Sequence, residues 1–89
     1  MSYPFLTLAD NTEITHSETL PDGTVKVFVE RPVFQDFHSA TCLLPSYKWQ
    51  DVNGLSSDEL DELRSIIEHS AHLIMRYAGK GGFINAEGF

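Results

Sequence analysis

Residues 55–79 read LSSDELDELRSIIEHSAHLIMRYAG, and the fold turns on them. Ser56 and Glu59 stand at capping-box spacing, where the hydroxyl and the carboxylate each satisfy an N–H that the first helical turn leaves unpaired. Leu55 before the cap and Leu60 beyond it complete a hydrophobic staple. Asp58, Glu59, Asp61 and Glu62 crowd the positive end of the helix dipole, while Arg76 and Lys80 lie toward its negative end. Gly79 suits the left-handed residue that follows a helix. These signals predict one amphipathic helix over residues 56–78, roughly 34 Å long at 1.5 Å per residue. Its apolar positions, Leu60, Leu63, Ile66, Ile67, Ala71, Leu73, Ile74, Met75, Tyr77 and Ala78, sweep an arc of roughly 200°. A helix resting on one sheet needs little more than about 100°. The surplus calls for cover from the tail, from an arm around Trp49, or from a second copy of the chain.

Upstream, residues 3–52 are strand-rich. Residues 3–8 read as a first strand, and Ala9-Asp10-Asn11-Thr12 carries turn chemistry. Residues 13–20 are polar but β-compatible. Leu20-Pro21-Asp22-Gly23-Thr24 orders its residues as a type I turn with a G1 bulge, which joins antiparallel strands. In residues 24–31, Val25, Val27 and Val29 alternate with Lys26, Phe28 and Glu30, so the valines form the core face. Pro32, lacking an N–H, is expected to end that strand, with residues 33–36 as a connection. Residues 37–44 make a further strand with Ala40, Cys42 and Leu44 on one face. Pro45-Ser46 interrupts it, residues 47–52 form a short final strand or arm, and Asn53-Gly54 turns toward the helix. The fold expected is α+β: a three- to five-stranded antiparallel meander with one C-terminal helix packed on one face. Residues 1–89 form a single domain, with a glycine-containing tail over 79–89 whose Phe83, Ile84 and Phe89 are expected to fold back on it.

A chain of 10.0 kDa buries roughly 64% of its surface on folding, enough for one compact core but not for a deeply walled active site. Six basic residues are scattered along a chain of net charge −7, the opposite of the clustered Lys and Arg of nucleic-acid binders. No direct nucleic-acid binding is therefore expected. A basic protein partner fits better. Apolar runs are too short to span a membrane, and the N-terminus lacks a basic, then apolar, signal pattern. The single Cys42 excludes an intramolecular disulfide and fits a reducing cytoplasm.

No constellation points to catalysis, a metal or another cofactor. His69 and His72 stand at i, i+3 beside Glu68, not at the i, i+4 spacing of helical zinc ligands, and both fall on the polar arc. His38 and Cys42 share strand parity but lie about 13 Å apart along the strand, beyond nucleophile–base reach. Cys42 reads as a small core residue. His16 has no assigned role. Gly79-Lys80-Gly81-Gly82 follows a helix C-terminus, where the dipole has the wrong sign for a phosphate loop. The functional lead is aromatic: Phe28, Phe34, Phe37, Tyr47 and Trp49 are expected to form a patch on the second sheet face, with Phe83 and Phe89 of the tail as further contacts. Such a patch marks an interaction surface.

Tyr3-Pro4-Phe5-Leu6-Thr7-Leu8-Ala9-Asp10, His16-Ser17-Glu18, Leu20-Pro21-Asp22-Gly23, Ala40-Thr41-Cys42-Leu43-Leu44-Pro45, Ala71-His72-Leu73-Ile74 and the segment from Gly81-Gly82-Phe83 to Gly88-Phe89 resemble a family of small uncharacterised proteins of gut Gram-positive bacteria and their mobile elements. The resemblance spans nearly the whole chain. That family has no known activity, so no functional residues carry over, and the resemblance implies only a cytoplasmic accessory role. The functional expectation is a small non-enzymatic interaction or regulatory protein that binds a protein partner or itself, as a homodimer. The alternative is an acidic nucleic-acid mimic that inhibits a basic protein, and a third reading is a metal- or cysteine-dependent enzyme.

Overall fold

The computed structural model describes residues 2–79. Phe83 and Phe89, with the expected fold-back of the tail, lie outside the described residues. Five strands, β1 (Tyr3–Thr7), β2 (Glu13–His16), β3 (Val25–Val33), β4 (Asp36–Leu44) and β5 (Lys48–Asn53), precede one helix, α1 (Ser57–Gly79). The sheet order is β1-β2-β3-β4-β5, antiparallel throughout. This is the expected meander at the upper end of the expected strand count, with the C-terminal helix on one face.

Alternation decides which face is covered. Ile14 and His16 of β2, Val25, Val27 and Val29 of β3, and Ala40, Cys42 and Leu44 of β4 are all buried, and Leu55, Leu63, Ile67, Ile74 and Ala78 close the core from the helix side. The capping box forms as read: Ser56 N–H donates to Glu59 Oε1 at 2.9 Å, and Glu59 N–H donates to Ser56 Oγ at 3.2 Å. The turn at Pro21 also forms as read. Gly23 N–H donates to the Leu20 carbonyl at 2.8 Å, and Gly23 takes a φ of 86°, open to glycine without a Cβ penalty.

Four details differ from the sequence reading. Gly79 is the last helical residue, with no left-handed φ. The helix end instead meets the segment after β2, where Thr19 N–H donates to the Ala78 carbonyl, and β2 ends at His16, short of the expected Leu20. β3 runs through Pro32 to Val33. Lys26 turns its backbone toward β2, accepting from Ser17 N–H, so by alternation Pro32 also points that way. β2 pairs no further than Glu13 with Glu30, so the missing N–H breaks no ladder. Finally, residues 33–36 are a tight reversal, Val33 pairing with Asp36 around Phe34-Gln35, with Gln35 at φ 60°.

The helix surplus is partly covered by its neighbours, with Leu60, Ile66, Ala71, Leu73, Met75 and Tyr77 of intermediate burial. No apolar side chain of α1 is exposed, and Phe5, Leu8, Tyr47 and Trp49 pack against the buried cluster. Tyr77 meets Phe5 ring to ring at 6.2 Å. His69 and His72 are exposed. Glu68 pairs with Arg64 at 3.1 Å, one turn before it, and not with His72. No helix among the described residues is long and apolar enough to cross a membrane.

Candidate functional site

Among the described residues, no helix or strand lies over the sheet face opposite α1, and that face holds a hollow. The face's central row runs Thr15, Phe28, Thr41 and Gln50, each residue opposite the next across β2, β3, β4 and β5. One row further along, Glu13 stands opposite Glu30 and Glu30 opposite Ser39. These residues alternate with core residues of the same strands and so face away from α1. All of them but Gln50 line a groove of about 840 Å³, to which Glu18, Lys26 and Asp51 also contribute. A second hollow of about 350 Å³ continues toward the β3–β4 hairpin, with Pro32 and Phe37 on its wall. Glu13 and Glu30 line both hollows.

Two features of this face bear on binding. Thr41 is only 8% exposed, but its hydroxyl is not among the buried unpaired polar atoms of the described residues and so reaches solvent through the groove it lines. Glu13 and Glu30 place like charges directly opposite each other, which is unfavourable in an antiparallel pair. At the end of the face, Phe34 caps the hairpin and is 90% exposed, with Phe37 at 56%. A non-glycine residue at positive φ costs roughly 1–3 kcal/mol and persists where the surroundings impose it. Gln35 beside Phe34 is such a residue.

The expected aromatic patch therefore divides. Phe28, Phe37 and Phe34 lie along the open face and its hairpin. Tyr47 and Trp49 do not join them. Trp49 pairs with Cys42, a core-face position, so its ring turns toward the helix, while the register shift beyond Gln50 leaves Asp51 in the groove. Tyr47, at φ 61° in the connecting turn, packs on the core beneath the Arg64 guanidinium, 5.4 Å from the ring centroid.

The chemically versatile residues are dispersed. His16 and Cys42 occupy one row on the helix side but are separated by Val27, about 10 Å across two strand spacings. Burial pushes the Cys42 thiol up to about 11, opposite to what a nucleophile requires. His16 is fully buried, Nδ1 meets the Ser17 carbonyl at 2.8 Å, and Nε2 has no partner. Tyr3 and Phe5 pack around its ring. His38 lies against Gly54, where a Cβ would come within 2.3 Å of the ring. Among the described residues, no three His, Cys, Asp or Glu side chains converge as metal ligands.

Sequence reasoning missed Arg31. Its guanidinium donates to Glu59 at 2.8 Å and to Thr12 Oγ1 at 2.8 Å, and lies 3.3 Å from Asp10. It ties the helix start to β3 and to the β1–β2 turn. Hydrogen bonds from the Ser56 backbone and then from Arg31 hold the Glu59 carboxyl below its ordinary 4.5. Hydrogen bonds from Thr12, and more weakly the Arg31 charge, hold Asp10 below 3.8. Arg31 is a tether on the far side of β3 from the groove.

No family model, curated protein or solved structure matches the chain.

Proposed function

We propose that this chain is a non-enzymatic, cytoplasmic interaction or regulatory module that docks a protein partner on its open sheet face and on the Phe34 hairpin. The observation that carries the reading is the groove itself: a hollow lined by Phe28, continuous with an aromatic hairpin tip, on a fold whose other face is fully occupied by α1. An exposed aromatic patch rimmed by polar groups is the usual mark of a protein contact. Self-association would use this same surface. The sheet edges resist strand addition, because β1 carries Pro4 and a register shift, and β5 carries a register shift and Asp51 at φ 53°. The acidic-mimic alternative draws less support, since its carboxylates divide between the start of α1 and the opposite sheet face.

The test is photo-crosslinking in native lysate, with benzoylphenylalanine replacing Phe34 in one sample and His72 on the outer helix face in another. A discrete adduct from position 34 and none from position 72 is expected; an adduct at the mass of two chains would identify the homodimer. Equal yields from both positions, or no adduct from position 34, would refute the docking surface.

A further inference from the structure

We infer that the open-face groove takes an extended protein segment carrying an arginine or lysine between two apolar residues, with the cation seated over the Glu13–Glu30 pair. The inference rests on the docking reading above and names the chemistry of the partner.

Three observations converge. The first is charge. Among the described residues, Glu13, Glu18, Glu30 and Asp51 line the groove against one cationic side chain, Lys26. Glu13 and Glu30 repel each other in the free protein, so a guanidinium or ammonium between them relieves an existing cost while forming charge-assisted hydrogen bonds. The second is Thr41, a residue only 8% exposed in the groove floor, whose hydroxyl still reaches the groove. It offers a donor and an acceptor to a peptide backbone or side chain passing above Phe28. The third is spacing. Phe28, Glu30 and Pro32 follow one another at every second residue of β3, about 6.6 Å apart. Phe28 is in the larger hollow, Pro32 and Phe37 in the smaller, and the carboxylate pair lines both. An extended ligand repeats its side chains with the same period. A segment of the pattern apolar-x-Arg/Lys-x-apolar therefore matches apolar, acidic and apolar positions in register. A lone amine would use the acidic centre and leave both apolar ends empty.

The probe is the pentapeptide Val-Thr-Arg-Thr-Val, blocked at both ends, titrated to about millimolar levels suited to so small a ligand and followed by amide shifts of the isotope-labelled protein. Saturable shifts are expected at Phe28, Glu30, Phe37 and Thr41. The Glu-centred counterpart should leave them unmoved. The E13Q/E30Q double variant should bind the Arg peptide about tenfold or more weakly, as loss of hydrogen bonds to charged groups implies. D61N/E62Q, which removes the same charge from α1, should bind normally. Shifts spread equally over the helix carboxylates, equal binding of the Glu peptide, undiminished binding by E13Q/E30Q, or tighter binding of spermine than of the peptide would each overturn the inference. If the peptide fails to bind while position 34 still crosslinks, the cationic chemistry is wrong and the docking surface stands. If both fail, both readings fall.

Discussion

The two faces of the sheet are made from the same strands, and neighbouring residues serve opposite ends. Val27 is fully buried against the helix, and Phe28, the next residue, floors the groove. On the covered face the requirements of side-chain size and polarity agree with burial, with the orphaned His16 Nε2 as the exception. On the open face they do not: a half-buried phenylalanine and opposed glutamates sit together. Local rules broken without local compensation mark functional surfaces, whereas rules kept mark the core.

Substitutions should separate the two faces, and the largest effects belong to the covered one. Leu63→Ala empties a fully buried site and should cost about 2–5 kcal/mol in urea unfolding. Phe28→Ser should cost only about 1 kcal/mol, the span of sheet propensity, because its ring is backed by solvent on one side. Comparable losses at both positions would erase the distinction. Gly54→Ala should cost about 1–3 kcal/mol from backbone strain alone, since Gly54 sits at φ 86°. It must also displace the His38 ring.

Arg31→Met should cost about 1–3 kcal/mol, chiefly by removing the charge-assisted hydrogen bonds to Glu59 and Thr12. The same tether predicts an acid limb. The Asp10 and Glu59 carboxyls are held below their ordinary 3.8 and 4.5, so each contributes stability above those values and loses it as pH falls through the lower folded value. The melting temperature should drop below about pH 4, and less steeply in Arg31→Met. A flat acid limb in the parent protein would contradict the tether. The smallest effect is chemical: Cys42 should resist thiol reagents at neutral pH while the protein is folded and react on unfolding, as its raised pKa and burial require.

Much of the covered face is legible in the sequence because its signals are local. The capping box needs only Ser56 and Glu59, the turn only Pro21-Asp22-Gly23, and the core strand only the valine alternation. What escapes reading depends on neighbours distant in sequence. Whether Pro32 ends β3 depends on how far β2 extends. The side that Trp49 faces depends on how the turn at Tyr47 resets alternation. The Phe34-Gln35 reversal lacks the glycine or asparagine that usually marks such a turn. Arg31 joins residues 19 and 28 positions away. For the candidate site, Phe28 and Phe34 were legible as aromatics without a core assignment. The Glu13–Glu30 pair and the place of Thr41 in the groove required the register.

The most direct test of the division between the faces combines two readouts on one variant. Phe28→Ser is introduced into the chain that carries benzoylphenylalanine at position 34, and melting temperature and crosslinking yield are measured together. The account predicts a melting temperature lowered by at most about 8 °C, as a loss near 1 kcal/mol implies for a domain of this size, with the adduct lost. An adduct at full yield in the folded variant would contradict it.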